Sequence, residues 1–301
     1  MKKAIIFMLV CAATLVVISG CNTQYAPANF NQTVETYGAI EAKYMNTGSY
    51  EVSHYEEASL HGFGKYHIYY PSELKDCSKK YPVIVFANGS GVKVSSYYHL
   101  LEHTASWGFI AIGTEEEFDW NGFASEMCLR HLIRLNEVDT VNDNANIFQG
   151  KIDLDNIGIT GHSQGGVGVI NAITVQAHSD MYKAAVALSP TNITLAENIE
   201  WHYDASLIDT PIMLLSGAGG GDDWVITGEQ LEEIYDLIRC EKIMMRRVAT
   251  DHGQMLYSGE GYVIAFFMYH LQGDFEAGKA FFGTEAEILT NSLWQDINKS
   301  S

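Results

Sequence analysis

From Gly64 onward the chain alternates short runs of apolar and β-branched residues with longer amphipathic stretches, and turn residues punctuate most of the joins. The short runs predict strands over 65–70, 83–87, 109–114, 157–160, 184–188, 212–216 and 244–249. Val83-Ile84-Val85-Phe86 and Ile212-Met213-Leu214-Leu215 have no polar face, which fits strands covered on both sides, as in a parallel sheet with helices on each face. The amphipathic stretches predict helices over 95–106, 123–136, 165–177, 227–239 and 261–271. Residues 262–269 are apolar all round, yet too few for the roughly 20 residues of a membrane span, so they read as a core helix on the sheet. There is no internal repeat, low-complexity segment or second-domain signal. The expected fold is α/β: a single domain with a mostly parallel central sheet, helices on both faces and little or no lid.

The N-terminus breaks this rhythm. Lys2 and Lys3 precede an apolar stretch over 4–18, followed by Ser19-Gly20-Cys21. This is the pattern of a secretion signal. Small residues directly before a cysteine also resemble a bacterial lipobox, which would make Cys21 the lipidated first residue of the mature chain. Residues 1–20 are therefore expected as a lipoprotein signal peptide. Residues 21–35, rich in Asn, Gln, Ala and Thr, are expected as an unpacked tether. Residues 36–301 are expected as the folded domain, extracytoplasmic and held at the cell membrane by its lipid.

Charge and cysteine content narrow the partners. With 37 acidic and 18 basic residues the formal charge is −19, and −21 once the two leader lysines are removed. Such a surface repels nucleic acid and favours neutral or cationic bulk substrates. Cys77, Cys128 and Cys240 fall within the expected domain. An oxidising location permits one bridge, with Cys77 to Cys128 preferred, while free buried thiols are the alternative. No CxxC or Cys/His spacing suggests zinc, and no protein partner is implied.

Candidate chemistry centres on Gly161-His162-Ser163-Gln164-Gly165. A G-x-S-x-G pentapeptide alone is weak, because a glycine-rich chain meets it by chance. Here a strand, Ile157-Gly158-Ile159-Thr160, leads straight into it and a helical stretch leaves it, so Ser163 sits on a strand-to-helix turn. Glycines at both ends permit the strained serine backbone and close chain approach that such an elbow needs. A nucleophilic serine requires a base, and the base an orienting carboxylate. On a nucleophile elbow the acid follows a later strand and the histidine a still later one. After the strand over 212–216 come Gly217-Ala218-Gly219-Gly220-Gly221 and then Asp222 and Asp223; Asp222 is the expected acid and Asp223 its alternative, the spare one being solvated or capping the helix from Thr227. Of eleven histidines, His252 stands apart, because Thr250-Asp251-His252-Gly253 follows the strand over 244–249. His270 reads as a hydrogen-bonded core residue and His162 as pointing away from the serine. His178 and His202 have no strand-end context. The oxyanion donors are expected at the amides of Gln164 and of Ser90, in the loop Asn88-Gly89-Ser90-Gly91, although Asn-Gly is also a common hairpin turn.

Asn88-Gly89-Ser90-Gly91, Ser106-Trp107-Gly108-Phe109, the stretch 153–166 and Asp222-Asp223-Trp224 resemble the bacterial cutinases and polyester hydrolases of the α/β-hydrolase superfamily, over roughly residues 81–271. The dienelactone-hydrolase and chlorophyllase-like branches share much of this pattern. The chain departs from the polyester hydrolases in three places. Ser90 stands where they usually carry a ring-clamping aromatic, the acid loop is glycine-rich and longer, and their C-terminal cysteine pair is missing. The resemblance implies a serine carboxylesterase that needs no cofactor or metal and acts on short-acyl or surface-accessible esters, polyester-like ones included. Trp120, Tyr97 and Trp224 are candidate cleft walls. A peptidase or acyltransferase on the same fold is the alternative within enzymes, and a non-catalytic surface binding module the alternative outside them.

Overall fold

Val83, Val85 and Ala87 point to one side of their strand and Ile84 and Phe86 to the other, and both sets are buried in separate hydrophobic clusters. The computed structural model describes residues 25–59, 62–142 and 144–300. Among these, nine strands form one sheet: β1 (Val52–Ala58), β2 (Lys65–Pro71), β3 (Tyr81–Ala87), β4 (Ile110–Thr114), β5 (Ile152–His162), β6 (Tyr182–Leu188), β7 (Ile212–Ala218), β8 (Lys242–Val248) and β9 (Trp294–Lys299). Their order is β1-β2-β4-β3-β5-β6-β7-β8-β9. Neighbours from β4 to β8 pair in parallel, while β1, β2 and β9 add antiparallel margins.

Each face is covered by helices whose apolar sides meet one set of alternating strand residues. Helices α3 (Phe123–Glu137), α4 (Gln164–Thr174) and α5 (Gly228–Leu237) pack with Val85, Ile159 and Leu214. Helices α1 (Ala39–Met45), α2 (Tyr98–Ser106) and α6 (Glu260–Gln272) pack with Ile84, Val186 and Leu215. The all-apolar α6 lies flat on the sheet: Phe267 occupies the room left by Gly158, where a Cβ would fall 2.8 Å from its ring. No helix among the described residues is long and apolar enough to cross a membrane.

All seven strands and five helices expected from the pattern are present, with ends shifted by a few residues. The strands β1 and β9 were not expected. They are the sheet's edges, half-exposed and rich in polar residues, so they lack the apolar run that marks a covered strand. The expectation of an unpacked tether fails for residues 25–35. Ala26 and Phe30 are buried, and the Phe30 ring meets His103 edge-on at 5.4 Å. Glu41 then ties this region to the far edge of the sheet. Its carboxylate accepts hydrogen bonds from Arg247 (3.1 Å), Trp294 (2.8 Å) and Asn291 (2.8 Å). The preferred Cys77 to Cys128 bridge is also absent, and Cys77, Cys128 and Cys240 are all free thiols: Cys128 sits in the core on α3, while Cys77 instead meets the Tyr81 hydroxyl. The signal peptide and the Cys21 lipidation site lie outside the described residues.

Candidate active site

The carboxyl ends of β3, β5, β7 and β8 converge, as open parallel sheets require of their binding sites. At the end of β5, Ser163 adopts φ 61° and ψ −120°, a conformation that costs a non-glycine residue about 1–3 kcal/mol and persists only where the surroundings enforce it. They do so here. The Ser163 N–H donates to the Leu188 carbonyl at 2.8 Å. A Cβ at position 161 would lie 2.5 Å from the Gly165 carbonyl oxygen, and one at 165 would lie 2.2 Å from that of Ala87. Only glycine lets the chain close so tightly around the serine. Gln164 opens α4, so its N–H belongs to the first turn, which has no intrahelical acceptor and carries the positive end of the helix dipole. The Gln164 side chain is buried and accepts from the Asp119 amide at 2.9 Å.

The loop after β3 is pinned through Asn88. Its buried side-chain amide donates to the carbonyls of Thr114 (2.8 Å) and Glu116 (2.6 Å), and its oxygen accepts from the Tyr97 hydroxyl. Asn88-Gly89 begins a crossover to the parallel neighbour β4 and is not a hairpin turn. Gly89 is close enough to the elbow that a Cβ there would fall 3.2 Å from the His162 carbonyl oxygen, which places Ser90 at the rim of the same cleft as Ser163.

After β7, Gly219, Gly220 and Gly221 all have positive φ (87°, 66° and 104°), and this left-handed run turns Asp222 inward. Asp222 is fully buried. Its Oδ1 lies 2.7 Å from His252 Nδ1, and its Oδ2 accepts from the Ser189 hydroxyl at 2.7 Å and from the Gly217 amide. Burial alone would raise its pKa. The hydrogen bond and charge of His252, with the Ser189 and Gly217 donors, outweigh that and hold the carboxyl below its usual range. The carboxylate thus accepts from His252 Nδ1–H, and in the neutral ring this places the lone pair on Nε2. Asp223 goes elsewhere, to Arg246 on β8, and the cap of α5 is supplied by Thr227 with Gln230.

His162 lines the cleft, with its ring 4.4 Å from that of His252 and its Nε2 donating to the His252 carbonyl at 2.7 Å. Burial, followed by the neighbouring His252, pushes its pKa down to about 3, so it is a neutral prop under the histidine loop.

Ser163, His252, Ser90 and His162 open on one apolar cleft. Tyr97 and Trp224 form walls, and Trp224 also meets the His252 ring edge-on at 5.3 Å. Trp120 does not line it, being held in a side cluster with Val167, Ala196 and Trp201. Tyr25, Leu195, Trp201 and Leu256 add further wall. Nothing in the local sequence marks these four, because segments far apart in the chain bring them together.

A doubly covered, mostly parallel sheet with a serine on a strand-to-helix elbow defines the α/β-hydrolase fold. A family model described as PETase, PET hydrolase-like, matches residues 32–252. The chain belongs to that family, and the match takes in Ser163, Asp222 and His252. The chain is also 29% identical over 188 residues to a bis(hydroxyethyl) terephthalate hydrolase of Streptomyces coelicolor (strain ATCC BAA-471 / A3(2) / M145), covering 61% of this chain and 53% of that protein. The chain thus spans about half the length of the curated relative it matches.

Proposed function

We propose that this protein is a serine carboxylic ester hydrolase working through an acyl-enzyme. The observation that carries the reading is the buried Asp222 carboxylate 2.7 Å from His252, in a cleft that the strained Ser163 also lines. In the reaction, His252 Nε2 takes the Ser163 hydroxyl proton as Oγ attacks the ester carbonyl, and Asp222 stabilises the resulting imidazolium. The amides of Ser90 and Gln164 receive the tetrahedral oxyanion. Collapse breaks the ester C–O bond, and His252 returns its proton to the departing alcohol. Water, deprotonated by His252, then attacks the acyl-serine and releases the acid with the serine restored.

The cleft's apolar walls and the formal charge of −19 suit neutral esters. Short-acyl or compact aromatic esters, and the chain ends of polyesters, are the substrate class this site would take, in keeping with the terephthalate ester in the relative's name. Ser90 leaves one rim of the cleft without an aromatic side chain. We further propose that the mature chain begins at a lipidated Cys21 outside the cytoplasm; palmitate labelling lost in Cys21→Ser supports this, and labelling retained contradicts it.

Hydrolysis of p-nitrophenyl acetate and butyrate, compared with Ser163→Ala, tests the activity. The expected outcome is turnover by the parent and a loss of about a thousandfold or more in kcat for the variant. Equal rates would overturn the assignment of the site.

A further inference from the structure

Away from the residues that line the cleft, β1 and β2 bring together three metal-ligating side chains that no sequence spacing connects. Glu56 on β1 stands directly opposite His67 on β2, and His54, two residues before Glu56, shares its face. His54 Nε2 lies 3.1 Å from His67 Nδ1, Glu56 Oε2 lies 3.9 Å from that same nitrogen, and the three ligand atoms all fall within 4.8 Å of one another. An ion with three such ligands at about 2.0–2.2 Å in a tetrahedral arrangement holds them about 3.3 Å apart, so only small side-chain adjustments are needed.

A second observation aims the site. His67 is buried, and its other ring nitrogen, Nε2, lies 2.9 Å from Glu115 Oε1. Glu115 is itself held, its Oε2 accepting from the Ser95 hydroxyl at 3.0 Å. Nε2 makes no hydrogen bond of good geometry there, but the carboxylate beside it favours the proton on Nε2, and a small turn of the ring would seat that N–H on Glu115 and leave the His67 Nδ1 lone pair facing His54 and Glu56, as the outer carboxylate of a metal-bound histidine does. Lys65 pairs with Glu56 through Oε1 at 2.5 Å, which leaves Oε2 turned to His67. His54 and Glu56 are exposed, so the site is open to solvent.

We propose that His54 Nε2, His67 Nδ1 and Glu56 Oε2 bind one divalent transition-metal ion of the Zn²⁺ class, with a fourth position left to water. Two imidazoles and one carboxylate suit Zn²⁺, Co²⁺ or Ni²⁺ and not Mg²⁺ or Ca²⁺, which take oxygen ligands. On binding, His54 moves its proton from Nε2 to Nδ1, so no net proton is released. The ion ties the edge strand β1 to β2 and, through His67, Glu115 and Ser95, to the segment that follows the Ser90 loop. Because the ligands meet only in the folded chain, binding stabilises the fold.

The test uses the protein from residue 22 to its end, stripped with a chelator and then titrated with Zn²⁺ by calorimetry and with Co²⁺ by visible absorption, with melting temperature read alongside. One ion per chain, a low-coordinate Co²⁺ spectrum and a higher melting temperature with Zn²⁺ but not Mg²⁺ are expected. His54→Ala and Glu56→Gln, both at exposed positions, should each weaken Zn²⁺ binding about tenfold or more and cancel the thermal shift, and Glu115→Gln should weaken it about 10–100-fold. Absence of stoichiometric binding, or an affinity unchanged in either exposed variant, would overturn the proposal.

Discussion

Asp222 Oδ1 lies 2.7 Å from His252 Nδ1, while the carboxylate of its neighbour Asp223 is turned to Arg246 and stands half in solvent. The two adjacent acids therefore do different jobs. Asp222→Asn replaces the acceptor with a group that favours the wrong histidine tautomer, and kcat should fall by about ten-thousandfold. Asp223→Asn loses a half-exposed ion pair to Arg246, and kcat should stay within about threefold of the parent. Rates on p-nitrophenyl butyrate decide it, and a larger loss at Asp223 would refute the assignment.

Tyr25 closes one side of the cleft, and its N–H donates to the Ser96 carbonyl at 2.8 Å. Tyr25→Ala should open that wall to longer acyl chains. The ratio of kcat/KM for the octanoate over the acetate ester should rise several-fold, since a methylene newly seated on apolar surface is worth roughly 1 kcal/mol. A ratio that stays level would place the acyl chain on another wall.

Glu41 is buried against Arg247, whose pKa burial pushes down. Glu41→Ala strands a buried guanidinium and should cost about 3–5 kcal/mol of stability, read from urea unfolding. A cost below about 1 kcal/mol would mean that water reaches Arg247 in the native chain.

His131 is buried against Tyr66, with ring centroids 4.1 Å apart, and burial, followed by Arg134, pushes its pKa down to about 3. As pH falls from 6.5 towards 3, the unfolded chain binds a proton that the folded chain refuses, so stability drops across that window. His131→Phe keeps the stacking and removes the titration. The fall in melting temperature between pH 7 and pH 5 should shrink in the variant, and an unchanged fall would remove His131 from the acid response.

What could be read in the sequence follows from how locally each feature is encoded. Covered strands such as β3 and β7 announce themselves because both faces are apolar. The edges β1 and β9 do not, since one side meets water. Ser163 and His252 were legible because each follows the end of a strand, with a glycine one or two positions away. The choice between Asp222 and Asp223 was not, because three left-handed glycines set which carboxylate faces inward. The burial of Ala26 and Phe30 was hidden in a polar stretch with no period, and the cleft walls at Tyr25, Leu195 and Trp201 exist only in the folded chain. His54, Glu56 and His67 escaped notice for the same reason, their proximity being a matter of strand register.

Covalent trapping reads directly whether His252 activates Ser163 as the nucleophile. After incubation with a fluorophosphonate, mass spectrometry of the digested protein should find one adduct, on the peptide that carries Ser163. The adduct should be absent in Ser163→Ala and form far more slowly in His252→Ala. An adduct on another serine, or full esterase activity with Ser163 unmodified, would contradict the account.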